Sequence, residues 1–444
     1  MELRELANII REAGVVGAGG AGFPTYAKLS ADADTILLNC AECEPLLTLH
    51  RQLLARHPEE ILSAFSLIAE TVGAKEGIVC IKKEYRETLA AVRAVLGNFP
   101  QLRIHELAGV YPMGDEVVMI YEATGRVVRP GGLPIEAGVT VFNVETVWNV
   151  YRAVKDGAPV TAKLVTVTGE VNQPVTVRVP IGTPLGDLVE MAGGMRRPDC
   201  GLLVGGPMMG RPGKPSDPVT KTTNAILVLP ENHLLLMRQK ASIPVQLKRA
   251  ASICCQCQMC TDLCPRHNLG HPIEPHLFMR SAANQDFQST NAFLNTFFCC
   301  GCGVCELYAC PQGLSPRTLI SEYKSGLRKA GVKAPNVQAA ETPEGREYRK
   351  VPEHRLAARL DLLRYEDPAP MQAGLQAVPE VRIRLSQHIG APAKLCVKPG
   401  DTVTQGDVIG RAAEGALGVS IHASVCGVVT QADDREVVIR AERR

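Results

Sequence analysis

The chain has 444 residues, 45% of them hydrophobic, enough at about 100–200 residues per domain for several separately cored domains. Lys plus Arg number 48 and Asp plus Glu 46, a formal charge of +2 with no strongly basic run, which argues against a general electrostatic footprint for nucleic acid. Aromatics at 4% with one Trp argue against a base-stacking or carbohydrate-binding surface. No apolar run approaches the ~18 residues of a membrane helix, so no direct membrane span is expected. The N-terminus has charges inside it and no secretory pattern.

In chain order, Leu3, Leu6, Ile10 and Ala13 recur at helical spacing, predicting an amphipathic first helix. "TILLNC" and "EGIVCIK" read as strands, and "PEEILSAFSLIAETVG" and "RETLAAVRAVLG" as helices. This alternation predicts a parallel or mixed sheet with covering helices over residues 1–157. Residues 158–240 turn β-rich, with "PLGDLVEMAG" as a short helix, and suggest a β-grasp module. A cysteine-rich region follows over 241–330. Residues 331–378, rich in Pro, Ala and charge, read as a linker with one helix, "EHRLAARLDLLRY". The last stretch, 379–444, has short strands and Gly turns that suit a compact β-sandwich.

Ten of the sixteen cysteines crowd into two stretches, "ICCQCQMCTDLCPRH" and "FFCCGCGVCELYACPQG". Cys254, Cys257, Cys260 and Cys264, followed by Pro265, make the C-x2-C-x2-C-x3-C-P run of two-cluster ferredoxins. Cys299, Cys302, Cys305 and Cys310, followed by Pro311, repeat it with one inserted residue. A tight loop carrying three cysteines wraps three iron corners of a cubane, and the fourth cysteine ligates the other cluster. On that rule Cys254, Cys257, Cys260 and Cys310 hold one [4Fe–4S], and Cys299, Cys302, Cys305 and Cys264 the other. The alternative is structural zinc, which usually takes two separated pairs of ligands; two triplets plus two Cys-Pro pairs exceed that need. Cys255 and Cys300 are read as bystanders, and His267, His271 and His276 as capping or loop residues rather than a second metal site. The remaining six cysteines read mostly as ordinary buried thiols.

"VVGAGGAGFPTYAK", Val15 to Lys28, contains Gly17-x-Gly19-x-x-Gly22. A dinucleotide fingerprint needs a strand before it and a helix after it. Here the order is helix, loop, strand, so this is not a Rossmann loop. Its glycines still let backbone N–H groups approach a phosphate closely, and Lys28 adds a positive charge. The next strand ends in "NCAECEP", placing Asn39, Glu42 and Glu44 at its carboxyl end, where α/β sheets bind ligands.

"GAGGAGFPTYAK", "NCAECEP", "YPMGDEV" and "TVFNVET", in that order, resemble the flavin-binding subunit of NADH:quinone oxidoreductase (complex I) and its relative, the RnfC subunit of the Rnf complex. The resemblance implies FMN contacts from Gly17, Gly19, Gly20, Gly22, Lys28, Asn39, Glu42, Gly114, Asp115, Asn143 and Thr146. It also implies that Phe23, Glu44 and Glu116 lie near the nicotinamide nucleotide, NADH. Two departures stand out: Ala41 replaces a usual acidic residue, and "YPMGDEV" replaces Gly-Glu-Glu-Thr. Over nearly its full length the chain resembles the cobalamin reductases of bacterial propanediol-utilisation microcompartments. "GGPMMG" resembles the soluble-ligand-binding β-grasp (SLBB) domain, and the C-terminal "QHIGAPAKLCVKPGDTVTQGDVIG…HASVCGVV" the RnfC barrel-sandwich hybrid, which in RnfC is N-terminal. No Lys occupies the tip sequence "GRAAEGALG", so no covalent swinging arm is expected.

The expected fold is therefore multidomain α/β: a complex I-like flavin domain, an SLBB module, an α-helical two-cluster ferredoxin domain and a β barrel-sandwich hybrid. The expected activity is an NADH-dependent flavin and iron–sulfur oxidoreductase that reduces a corrinoid, cob(III)alamin, towards cob(I)alamin. The resemblance implies a corrinoid adenosyltransferase as the receiving partner, microcompartment shell proteins as further partners, and a cytoplasmic place inside such a compartment. No side chain is expected to act as a catalytic acid or base. Two other readings are an RnfC-like relay passing electrons to a protein partner, and a non-enzymatic scaffold or sensor, against which the flavin-type loop argues.

Overall fold

The computed structural model describes residues 1–442. Helix α1 (Leu3–Glu12) buries Leu6 and Ile10, the stripe that the sequence spacing predicts. It packs beside a sheet of strands β1 (Thr35–Cys40), β2 (Glu76–Lys82), β3 (Leu102–Leu107) and β5 (Val139–Asn143); the two-residue β4 (Val110–Tyr111) lies outside that sheet. The four strands run parallel in the order β3-β2-β1-β5. Helices α2 (Leu49–Arg56), α3 (Pro58–Val72), α4 (Arg86–Leu96) and α6 (Val144–Lys155) cover one face, against Ile36, Leu38 and Cys40. Alternation then turns Leu37 to the other face, where it meets α5 (Glu116–Thr124) and Leu269. The chain walks outward from β1 to β3 and returns on β1's far side as β5. That reversal opens a crevice at the carboxyl ends of β1 and β5, where Asn39 and Asn143 are register partners.

The next unit comprises β6 (Ala162–Gly169), β7 (Val175–Pro180), α7 (Leu185–Met191), β8 (Cys200–Val204), β9 (Arg211–Gly213) and β10 (Ala225–Pro230). Val165, Val167, Val177 and Val228 pack under Leu185, Leu188 and Val189 of α7, the helix-on-sheet arrangement of a β-grasp. Helices α8 (Leu234–Lys240), α9 (Ile243–Ile253), α10 (Met259–Asp262), α11 (Pro275–Asn284), α12 (Thr290–Leu294) and α13 (Pro316–Lys329) surround the two cysteine loops.

The stretch read as a linker is built into its neighbours. Strand β11 (Val351–Pro352) pairs antiparallel with β4, and α14 (Glu353–Arg359) buries Leu356 and Ala357. Leu360, Leu362 and Tyr365 join the core that holds Met208, Cys302 and Leu307. Strand β12 (Met371–Leu375) adds a parallel edge to β7, giving the sheet order β12-β7-β6-β10-β8-β9. The expectation of a tether with one helix misses this because its apolar residues are sparse and find partners far away in sequence.

The C-terminal unit stacks two small sheets. One holds β13 (Glu380–Arg384), β15 (Thr402–Val403), β18 (Gly427–Ala432) and β19 (Glu436–Ala441); the other holds β14 (Lys394–Leu395), β16 (Val408–Arg411) and β17 (Ile421–His422). Ile383, Leu385, Ile409, Ile421 and Ile439 fill the space between them.

Candidate functional site

A cleft of about 610 Å³ opens at the β1/β5 reversal. Gly17, Gly19, Gly20, Gly22, Phe23, Lys28, Asn39, Gly114, Glu116, Asn143 and Thr146 all line it. The glycine loop is a narrow excursion held at its base by Gly17 N–H donating to the Phe23 carbonyl (2.9 Å). Its middle is fixed by Ala18 N–H donating to Thr146 Oγ1 (3.0 Å), at the start of α6. A Cβ on Gly19 would stand 2.5 Å from Asn143 Nδ2, so the loop reaches the helix end only as glycine. A Cβ on Gly20 would meet nothing within 4 Å, because that backbone faces the open cleft. Asn143 caps α6, its Oδ1 accepting from Glu145 N–H (2.9 Å), and the positive end of the helix dipole points at the cleft. Lys28 Nζ donates to the Val141 carbonyl (3.2 Å) and pairs with Glu116 (3.3 Å). An exposed glycine backbone, a helix N-terminus and one lysine fit the phosphate of a flavin nucleotide; the apolar Val139, Val141 and Phe142 fit its ring.

Three residues expected at this site lie outside the lining. Glu42 is buried and accepts N–H bonds from His50 (2.8 Å) and Arg51 (3.1 Å), capping the start of α2. Glu44 turns into the β-grasp unit and accepts from Met208 N–H (2.8 Å) and Met209 N–H (3.0 Å). Burial pushes its carboxyl up to about 7. Asp115 caps α5, accepting from Val117 N–H (3.1 Å), and pairs with Arg266 Nη2 at 2.9 Å. The structure adds residues that sequence reasoning missed. His50 sits behind Asn143, 3.3 Å from Nδ2, and burial drives its imidazole down to about 3, so it is neutral. Ile389, from the C-terminal unit, lines the cleft beside Leu133 and Ile135; no local pattern announces a contact across such a sequence distance.

The cysteines ring two separate cavities. The outer one is lined by Cys254, Cys255, Cys257, Cys260 and Cys310, the inner one by Cys264, Cys299, Cys300, Cys302 and Cys305. Each combines the triplet of one loop with the Cys-Pro cysteine of the other, the exchange that two-cluster ferredoxins use. Each also holds one extra thiol, Cys255 or Cys300. N–H groups already point at sulfur: Gly301 N–H at Cys299 Sγ (3.3 Å), Leu314 N–H at Cys310 Sγ (3.4 Å) and Gln256 Nε2 at Cys254 Sγ (3.2 Å). Burial pushes the Cys260 and Cys264 thiols up to about 12, so cluster binding there expels protons. Among the described residues no group of three or more His, Cys, Asp or Glu converges on a single ion. The thiols surround a volume, which fits a multi-iron core. His271 Nε2 hydrogen-bonds the Val128 carbonyl (2.9 Å), a loop contact, and His276 Nδ1 the Thr261 hydroxyl (2.8 Å), a contact between α11 and α10. Of the six cysteines elsewhere only Cys40 and Cys80 are fully buried, and Cys396 is exposed, so the reading of mostly buried thiols holds for a minority.

One segment touches both cleft and inner cavity. Gly114 and Glu116 line the cleft, while Tyr111 Oη donates to the Cys302 carbonyl (2.7 Å) and Asp115 pairs with Arg266, which lines the inner cavity.

Comparison with known proteins agrees with this geometry. Residues 10–152 match the Nuo51 FMN-binding domain, 164–212 the SLBB domain, 253–315 the 4Fe-4S dicluster domain and 371–443 the RnfC barrel sandwich hybrid domain. Cobalamin reductase PduS of Salmonella typhimurium is 41% identical over 441 residues, 98% of this chain and 96% of the relative. The chain belongs to the PduS family. PduS of Citrobacter freundii is 40% identical over 97% of this chain and 95% of its own. A component of the Na(+)-translocating ferredoxin:NAD(+) oxidoreductase complex of Acetobacterium woodii is 32% identical over 60% of this chain and 59% of its own. As a PduS-family member the chain is a flavin and iron–sulfur oxidoreductase, with FMN and two [4Fe–4S] clusters as its cofactors. Among the described residues no helix is long and apolar enough to cross a membrane.

Proposed function

We propose that this chain takes electrons from NADH and delivers them to a corrinoid, reducing cob(III)alamin towards cob(I)alamin. The observation that carries the reading is that one chain holds both a flavin-type cleft and two thiol-ringed cavities, and is alike over 98% of its length to a cobalamin reductase. When bound, FMN exchanges a hydride with a nicotinamide and parts with single electrons, which [4Fe–4S] clusters carry one at a time.

The chain's own residues position and tune these groups. Gly17, Gly19, Gly20 and Gly22 offer backbone to the flavin phosphate, Lys28 offsets its charge, and Asn39, Gly114, Asn143 and Thr146 shape the floor. Phe23 and Glu116, at the cleft wall, are the residues we assign to the nicotinamide nucleotide. Glu42, Glu44 and Asp115 act one layer back: Glu42 holds α2, Glu44 fixes the Met208 loop, and Asp115 holds α5. Cys254, Cys257, Cys260 and Cys310 hold one cluster; Cys264, Cys299, Cys302 and Cys305 hold the other. The flavin, SLBB, two-cluster and barrel-sandwich units take residues 1–157, 158–240, 241–330 and 379–444. We further propose an adenosyltransferase that consumes the reduced corrinoid and a place within a microcompartment beside its shell proteins; the likeness to cobalamin reductases supports this reading.

The test is anaerobic. NADH is added to holoprotein while the flavin and cluster absorbances are followed, and cob(III)alamin is then supplied. Bleaching of both followed by corrinoid reduction is the expected result. If dithionite reduces the centres and NADH does not, the chain is a relay fed by a protein partner.

A further inference from the structure

We infer that the segment Tyr111–Glu116, with Arg266, is the electrical bridge of the molecule. It makes the inner cluster site the first acceptor from the cleft and the outer site the point of exit. The inference rests on the cofactor reading above and adds an order and named positioning residues to it.

The argument is one of contacts and exposure. Gly114 is in the cleft wall, fixed there by Asn39 Nδ2 donating to its carbonyl (3.0 Å). The next residue, Asp115, pairs with Arg266, two positions beyond Cys264 in the inner lining, and both side chains are largely buried, Arg266 at 11% and Asp115 at 16% exposed. Three residues earlier than Gly114, the buried Tyr111 hydroxyl donates to the carbonyl of Cys302. The short run is thus bonded to the cleft on one side and to both inner cysteine loops on the other. No cleft-lining residue lines either cysteine cavity; the link to the inner one runs through the Tyr111 and Asp115 contacts. Cys264, Cys302 and Cys305 of the inner set are buried, whereas Cys255 and Cys257 of the outer set are exposed. A relay needs one site shielded and next to its donor and one site open to its acceptor.

Arg266 has a second consequence. A guanidinium held beside a cluster favours the more negative, reduced form, so it raises that cluster's potential, and Asp115 moderates the effect. The inner site is thereby the readier to accept. With the cofactors bound, each passage would move one electron and no atom, from a flavin held in the cleft to a cluster held by Cys264, Cys299, Cys302 and Cys305 and then to one held by Cys254, Cys257, Cys260 and Cys310. Two passages would discharge the electron pair of one hydride, with the flavin's protons returning to solvent.

The test is an EPR-monitored redox titration of the holoprotein with dithionite and mediators, without nicotinamide. Arg266→Gln is expected to move one cluster signal to lower potential and leave the other in place. Asp115→Asn should move the same signal the opposite way, and Arg266→Lys should restore it. The moving signal should be the one that Cys305→Ala removes, not the one that Cys257→Ala removes. FMN content reports folding, and Asp115→Asn keeps the test open if Arg266→Gln loads iron poorly. Potentials that stay fixed, shift equally for both clusters, or shift only for the outer cluster would overturn the bridge. Failure of NADH to reduce the wild type would overturn the proposed function and leave this result standing.

Discussion

The two cysteine cavities are near copies in sequence and unlike in surroundings. Both combine a triplet from one loop with a Cys-Pro cysteine from the other. The inner one is tied to the α/β unit by the Tyr111 hydroxyl on the Cys302 carbonyl and by the Asp115–Arg266 pair, and Lys324 donates to the Cys299 carbonyl (2.9 Å). The outer one ends α9 at the surface, beside exposed Ile253 and Met259. Between Glu231 and Asp262 the chain has Arg238, Lys240, Lys248 and Arg249 and no acidic residue. The ligand set fixes which cluster binds; burial, nearby charge and hydrogen bonds to sulfur fix what that cluster does.

The largest way to break the comparison is to delete one cavity at a time. Cys305→Ala is expected to abolish NADH-driven reduction of the remaining outer cluster, while Cys257→Ala leaves NADH reduction of the inner one intact. Stopped-flow absorbance and EPR read the difference, and equal loss in both variants would erase the distinction between inner and outer.

Glu44 offers a pH test on the inner side, since it clasps Met208, whose carbonyl accepts from Arg317 in the inner lining. Burial raises the Glu44 carboxyl from its ordinary 4.5 to about 7. A raised carboxylate pKa favours folding in the protonated form. That contribution is fully present below about pH 4.5 and is lost as pH rises to about 7, a change on the order of 3 kcal/mol. Glu44→Gln should therefore flatten stability against pH over this window, measured by denaturant melts. An unchanged slope would mean that Glu44 is solvated.

Tyr111→Phe removes one buried hydrogen bond and leaves the Cys302 carbonyl without its partner, at a cost of about 1–3 kcal/mol. Its EPR spectrum should change at the inner signal and not at the outer. The smallest expected effect is kinetic: a chelator under air should strip the outer cluster before the inner one, because Cys257 is exposed and Cys302 and Cys305 are not. Simultaneous loss, followed by iron release, would count against the difference in shielding.

The parts legible in sequence are those that short spacing dictates. A C-x2-C-x2-C loop has little choice but to present three thiols together, and Gly17 to Gly22 can only be a loop of open backbone. The helical stripe of α1 and the alternation of β1 are equally local. Misplaced residues were those whose side chains choose between neighbours. Glu42, Glu44 and Asp115 sit in the right motifs, yet their carboxylates turn to the α2 start, the Met208 loop and Arg266. A motif fixes where a backbone goes and not which buried donor a carboxylate finds.

By itself, then, the sequence determined the iron–sulfur clusters, because ligand type and spacing are constraints of a few residues' length, whereas the flavin was implied by the resemblance of four short motifs. It also determined the class of each folding unit, because periodicity is local. Only the tertiary structure decided that residues 331–378 are woven into the β-grasp sheet and its core, that Ile389 lines the nucleotide cleft, and that one of two similar cysteine sets is bonded to the segment bordering the cleft while the other is more exposed. Those are outcomes of burial shared between segments hundreds of residues apart, and no window along the chain contains both partners.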